Sequence, residues 1–273
     1  MKPQKTATNA WLDLIAKITA SGQIHKPRNL PIREIVGNQV KFDMKYPIVL
    51  TKARNLNYKF MAAEAWWMLS GRNDTASIGE YCKAILKFSD DGKTFFGAYG
   101  PKISSQIDYV VSKLKQDHES RQAVINIWRE NPPETKDTPC TISAQWLIRN
   151  GELHCIDTMR SNDAWLGFPY DVFNFSMLSW HIVNELQKDG FNDLKLGTFT
   201  LNAGSHHLYE PDCEKIRVLS PIEWSDSIDF NICAGGESWP ILDQLAWVLG
   251  KTENPEGSKS AFFTEFKSKL VSK

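Results

Sequence analysis

Apolar residues recur at helical spacing over residues 8–20, where Trp11, Leu14, Ile15 and Ile18 fall on one stripe and Gly22 ends the pattern. A polar, basic loop with His25, Lys26 and Arg28 follows. Residues 38–44 then alternate as a strand does, and 48–51 form a second short extended piece. Residues 57–70 read as a strong helix closed by Gly71, apolar through its middle apart from Glu64. The stretch 72–100 is more polar and ends in Gly97-Ala98-Tyr99-Gly100. A short helix over 107–114 and a buried strand over 122–128 come next. Two β-rich runs, Thr141–Arg149 and Glu152–Met159, are joined by Asn150-Gly151, the strongest short hairpin signal. An amphipathic helix over 172–188, ended by Gly190, leads to a strand over 194–201. An extended piece near 228–233 and helices around 240–249 and 261–271 complete the chain. With no internal repeat or low-complexity linker, residues 1–273 are expected to form one α+β domain with a mixed sheet.

Charge and composition narrow the function classes. The 32 basic residues balance 32 acidic ones, so no net field draws the chain to nucleic acid. A small anion needs only a few local arginines. No apolar run is long enough for a membrane span, and the start MKPQKTATNAW lacks a signal-peptide core, so a cytoplasmic protein is expected. The five cysteines show no CxxC spacing, which fits reduced thiols, and no close Cys/His pairs suggest a metal.

Candidate chemistry concentrates between Pro139 and Asp171, where a cysteine, an arginine and two carboxylates fall together. Most cysteines are small buried hydrophobes. For Cys140 to act as a nucleophile it needs positive charge nearby, and Arg160 and Arg121 are the candidates. Glu64 is either a solvated edge position or a desolvated acid suited to proton transfer. Arg160 and Arg121 each adjoin a serine, Ser161 and Ser120, a pairing that suits phosphate, although surface ion pairs are the commoner fate of arginine. His206 and His207 leave a strand on opposite faces, so a shared metal is not expected. Contacts of one histidine and Tyr209 to a sugar fit better.

Taken in order over residues 28–209, these segments resemble the thymidylate synthase superfamily. The resemblance is carried by Gly37-Asn38-Gln39-Val40-Lys41-Phe42, Thr51-Lys52, Glu64 through Gly71, Tyr99-Gly100, Ser120-Arg121 and Pro139-Cys140. It continues in Arg160-Ser161-x-Asp163, Leu166-Gly167-x-Pro169 and His207-Leu208-Tyr209. Synthases follow the nucleophile with histidine, where this chain has Thr141. They read the uracil edge with asparagine, where it has Asp171. Their G-D-T-H becomes Gly204-Ser205-His206-His207. On these points the chain is similar to the phage deoxycytidylate hydroxymethylases, which share Cys-Thr, Gln145 to Arg149, Met159 to Asp163 and Asn202 to His207.

The resemblance implies a thymidylate synthase-like mixed sheet packed with helices, a homodimer through the sheet, and methylenetetrahydrofolate as one-carbon co-substrate without a metal. It implies small-molecule partners, a nucleotide and a folate, and a phage enzyme of nucleotide biosynthesis for DNA modification, working in host cytoplasm. Cys140 adds to carbon 6 of the pyrimidine, Glu64 moves protons through water, and Tyr99 and Asp171 complete the catalytic set. Asp171 pairs with cytosine, whose ring nitrogen accepts and whose amino group donates. Arg28, Arg160 and Ser161 bind phosphate, with Arg121 supplied by a second subunit. His207 and Tyr209 hold the sugar, and Asp163 and Gly167 the pterin. The expected product is 5-hydroxymethyl-dCMP. The alternatives are a dCMP methyltransferase using folate hydride, a CMP hydroxymethylase, a thymidylate synthase, or an inactive nucleotide- or RNA-binding relative. Two further departures bear on these: residues 84–88 lack the synthases' tryptophan near the transferred carbon, and Gln122 replaces a second arginine.

Overall fold

The computed structural model describes residues 6–51, 54–216, 240–253 and 260–272. Its centre is a mixed sheet of β1 (Gln23–His25), β2 (Ile32–Asp43), β3 (Val124–Asn126), β4 (Thr141–Arg149), β5 (Glu152–Met159), β6 (Asn162–Asp163) and β7 (Lys195–Tyr209). The strands lie in the order β1-β2-β7-β5-β4-β3, with β6 beside β7. Pairing is antiparallel except where β7 meets β5 and β6. The β4–β5 hairpin turns at Asn150 and Gly151 with φ of 53° and 76°, as a two-residue turn requires. One sheet face carries Phe42, Trp146, Cys155, Phe199 and Leu201 into the core.

Helices cover that face: α1 (Ala7–Ser21), α2 (Tyr58–Leu69), α3 (Thr75–Gly79), α4 (Gly100–Ser104), α5 (Ile107–Gln116), α6 (Phe168–Gln187), α7 (Glu210–Ile216), α8 (Ile241–Val248) and α9 (Ala261–Phe266). Thr6 caps α1 by accepting from the Asn9 amide at 3.1 Å, and Asn57 caps α2 by accepting from Phe60 at 2.9 Å. Gly71 leaves α2 with φ of 70°, the left-handed exit that glycine permits without strain. Helix α9 packs on α6 through Trp180 stacked against Phe263, with ring centroids 5.4 Å apart. Among the described residues no helix is long and apolar enough to cross a membrane.

Several elements differ from the sequence pattern. The helix expected from residue 172 begins at Phe168 behind Pro169, which puts Asp171 in its first turn. It is also buried almost all round instead of amphipathic, because it lies between the sheet and the outer helices. Residues 48–51 join no strand: the Val49 carbonyl accepts from Tyr58 Oη at 3.1 Å and the Leu50 amide donates to Thr8 Oγ1 at 2.9 Å. The strand expected over 122–128 narrows to β3. The amides of Ile127 and Trp128 both donate to the Ile142 carbonyl at 3.0 Å, where β4 bulges between Thr141 and Ser143. The polar stretch 72–100 holds α3 and a 3-10 turn, Lys83–Phe88. The extended piece expected near 228–233 lies outside the described residues.

Strand β2 begins earlier and β7 runs further than their apolar alternation, because polar Arg33, Glu34 and Ser205 still pair in the ladder. The inward side of β7 switches at Gly204, from Leu201 and Ala203 to His206 and Leu208. A Cβ at Gly204 would lie 2.9 Å from the Arg160 carbonyl. Glycine therefore lets β7 press against the end of β5, and that contact shapes the site.

Candidate active site

A cavity of about 220 Å³ opens between the N-terminus of β4, α2 and the first turns of α6. Cys140, Glu64, Tyr99 and Asp171 all line it, together with Asp137 and Asn174. Trp67, Ile85, Phe88 and Phe95 contribute its apolar wall. The four residues expected to form the catalytic set are thus brought together from α2, the loop before α4, the loop before β4, and α6.

Cys140 sits where the chain enters β4, its carbonyl accepting from the Arg160 amide at 2.9 Å. Arg160 clamps this entry. Its Nε donates to the Pro139 carbonyl and its Nη2 to the Thr138 carbonyl, each at 2.9 Å, and Nη2 lies 3.7 Å from Cys140 Sγ. Burial pushes the Cys140 thiol up to about 11, with Arg160 pulling against it and Asp171 and Asp137 adding to the rise. The guanidinium therefore positions the thiol and opposes its neutral form at once. Tyr99 Oη accepts from the Thr141 amide at 3.0 Å, fixing the next residue of the strand.

Glu64 is tied to α6 by Asn174, whose Nδ2 donates to Oε2 at 2.8 Å. Burial carries the Glu64 carboxyl up to about 7, the Asn174 bond drawing it down. It is not a solvated edge. Asp171 accepts from Asn162 Nδ2 at 2.9 Å through Oδ2. Burial, then the charge of Glu64, hold its carboxyl well above the ordinary carboxylate range. Deeper on β5, Asp157 is fully buried and neither oxygen is bonded among the described residues. Burial and the charge of Asp171 raise it as well. An acid that stays neutral near pH 7 can donate a hydrogen bond as well as accept one.

The remaining expected residues form a second group. Asp163 Oδ1 accepts from the amides of Trp165 and Leu166 at 2.8 and 2.9 Å, shaping the turn into α6. Asp163 pairs with His207 across β6 and β7. Burial raises the Asp163 carboxyl and lowers the His207 imidazole, each opposed by the other's charge. His207 meets Tyr209 edge to face at 5.3 Å, and Arg28 Nη2 donates to Tyr209 Oη at 3.5 Å. Arg28 and Asn29 take φ of 53° and 61° to make this approach. Gly167 packs under Asp171, where a Cβ would lie 3.1 Å from Oδ2.

Ser161 is half-buried beside Arg160. Arg121 is exposed and is not brought to Cys140 within one chain. It lies at a separate polar hollow with Lys113, Arg149, Asp117 and Glu119. Among the described residues no group of three or more His, Cys, Asp or Glu lies close enough to hold a metal. Three site residues escaped the sequence reading: Asn162, Asn174 and Asp137, which accepts from the Gly97 amide at 2.8 Å. For Asn174 a signal existed, its position one helical turn after Asp171. Asn162 stood within the Met159 to Asp163 motif without a role of its own, and Asp137 carried no signal.

The thymidylate synthase family model matches residues 9–223. The chain belongs to the thymidylate synthase family. It is 30% identical over 230 residues to a deoxyuridylate hydroxymethyltransferase of Bacillus phage SP01, covering 75% of this chain. A second protein of that description, from Pseudomonas phage M6, is 26% identical over 204 residues, covering 69% of this chain. The matches span only 57% and 56% of those two proteins' lengths. Membership accounts for the ordered motifs, and this family uses methylenetetrahydrofolate as co-substrate.

Proposed function

We propose that this protein is a deoxycytidylate 5-hydroxymethyltransferase. The observation that carries the reading is Asp171. It lines the cavity of Cys140 and Glu64, takes one hydrogen bond from Asn162, and its charged form is disfavoured by burial. A neutral carboxyl donates to the ring nitrogen of cytosine and accepts from its amino group; uracil offers the reverse pattern at the ring nitrogen.

In this reading Cys140 Sγ bonds to carbon 6 of the base, which makes carbon 5 nucleophilic, and leaves again when the product forms. Methylenetetrahydrofolate would supply the one-carbon unit, carbon 5 giving up its proton and tetrahydrofolate leaving as water adds. The aromatic wall of Trp67, Phe88 and Phe95 suits a flat pterin, and Asp163 and Gly167, which adjoin Asp171, would help to hold it. Glu64, near its protonation midpoint at neutral pH, relays protons and orients the water that becomes the hydroxyl. Arg160, Ser161 and Arg28 bind the phosphate, and His207 and Tyr209 the sugar. Arg121 would reach the phosphate from a second subunit. The sheet face opposite the helices, with half-buried Leu147 and Ile156, supports such a homodimer.

A second reading, hydroxymethylation of dUMP, is favoured by the names of the two phage relatives. Mass spectrometry of products from dCMP, dUMP and CMP with methylenetetrahydrofolate, alongside absorbance of dihydrofolate, separates the possibilities. A hydroxymethyl gain on dCMP without dihydrofolate is the expected result. A methyl gain with equimolar dihydrofolate makes the protein a methyltransferase. Turnover of dUMP alone gives the second reading.

A further inference from the structure

Behind the site, between the sheet and α1, lies a line of buried polar side chains that the catalytic roles do not use. Lys17, on the exposed side of α1, donates through Nζ to Asn38 Oδ1. Asn38 Nδ2 stands 2.9 Å from His206 Nδ1. His206 is fully buried, and its Nε2 has no hydrogen-bond partner among the described residues. Asn162 is also buried, and its Oδ1 is likewise without a partner. These two residues are register partners on the neighbouring parallel strands β6 and β7. Paired positions send side chains to the same face from strands about 4.8 Å apart, close enough for one water to bridge the two open atoms. The line ends where Asn162 Nδ2 donates to Asp171 Oδ2 at 2.9 Å.

The direction of every bond follows from the first. An ammonium only donates, so the Asn38 oxygen faces Lys17 and its amide nitrogen donates to His206. Nδ1 of His206 is then an acceptor, and its proton resides on Nε2. That makes Nε2 a donor, complementary to the open Oδ1 of Asn162. With the Asn162 oxygen turned to His206, its amide hydrogens serve Asp171 Oδ2 and Met159 Sδ, the latter at 3.3 Å. Asp171 Oδ2 is therefore an acceptor, turned back toward Gly167. The carboxyl proton is left to Oδ1, the oxygen available to the cavity.

We propose that Lys17, Asn38, His206 and Asn162 form a one-way hydrogen-bond string that fixes which oxygen of Asp171 carries the proton, making His206 a positioning residue for base selection. Run in this direction, the string presents an O–H to the base and suits the ring nitrogen of cytosine. Run in reverse, Asn162 would offer its oxygen to Asp171, the proton would move to Oδ2, and Oδ1 would only accept, which suits the ring N–H of uracil. The inference deepens the proposed function and rests on it for the identity of the base.

The test uses Lys17→Glu, a change on the exposed side of α1, with Lys17→Met as the neutral control. A carboxylate at position 17 accepts where lysine donates, so it turns Asn38 over and reverses the string. Nitrogen-15 NMR of the histidines, with His206 assigned from a folded His206→Gln variant, reads the tautomer without any substrate. The expected result is an Nε2–H tautomer in the wild-type protein and an Nδ1–H tautomer in Lys17→Glu. The ratio of kcat/KM for dCMP to that for dUMP should fall about tenfold in Lys17→Glu, as for one hydrogen bond turned unfavourable. Lys17→Met should give a smaller fall, and the KM for the folate should not move. An Nδ1–H tautomer in the wild-type protein overturns the string. So does a Lys17→Glu protein with unchanged tautomer and unchanged selectivity. A wild-type enzyme that prefers dUMP overturns the proposed function instead, and the tautomers then decide the string by themselves.

Discussion

Asn174 Nδ2 reaches from α6 to Glu64 Oε2 on α2 at 2.8 Å, one helical turn from Asp171. One helix therefore holds two of the cavity's three carboxyls, Asp171 through its own backbone and Glu64 through a side-chain bond. This arrangement sets the protonation of the site as well as its shape.

Glu64 should cost stability at alkaline pH. Its carboxyl is raised from 4.5 to about 7 in the folded protein, so folding retains a proton that the unfolded chain has released. The stability this contributes is complete below about pH 4.5 and is lost as pH rises through about 7. Glu64→Gln removes the dependence, and above pH 8 it should be more stable than the wild-type protein by about 2–3 kcal/mol. Urea unfolding at pH 4.5 and pH 8 checks this. An equal difference at both pH values would refute the assignment of the buried acid.

Asn174 draws the Glu64 carboxyl down. Asn174→Leu removes that bond in similar volume, so the Glu64 carboxyl should titrate higher. The limb of the kcat profile that Glu64 governs should move to higher pH, with kcat at neutral pH falling roughly tenfold. A profile with an unmoved limb would make Asn174 a packing residue only.

Asp171→Asn should relax the choice of base. An amide pairs with uracil when its oxygen faces the ring N–H and with cytosine when it is turned over, so the preference is graded. We expect the dCMP to dUMP ratio of kcat/KM to fall by about tenfold, as for one hydrogen bond weakened. Competition assays with both nucleotides measure it, and an unchanged ratio would remove Asp171 from base selection.

With its thiol pushed up to about 11, Cys140 should resist alkylation in the ligand-free protein. Its rate with iodoacetamide should climb about tenfold per pH unit to beyond pH 9, where an ordinary cysteine of pKa about 8.5 has levelled. Arg160→Gln should slow it further, because the cation 3.7 Å from Sγ is gone. Peptide mass spectrometry separates Cys140 from half-buried Cys82. Early levelling of the Cys140 rate would contradict the buried thiol.

Much of this protein was legible along the chain. The hairpin at Asn150-Gly151 and helix α2 with its single acid are local patterns. Periodicity, turn chemistry and the placement of a charge among apolar neighbours each act within a few residues. The order of the motifs likewise identified the family.

Other features were decided only by the tertiary structure. Residues 48–51 have strand-like composition but meet a helix and a tyrosine instead of a partner strand, so they never enter the sheet. The reach of β2 and β7 depends on a ladder that accepts polar residues, and the switch at Gly204 depends on the Arg160 carbonyl behind it. Asn162, Asn174 and His206 gained their roles in the same way. A buried amide or imidazole acts on whichever group lies within about 3 Å of it, and that neighbour is chosen by the packing of strands and helices far apart in sequence.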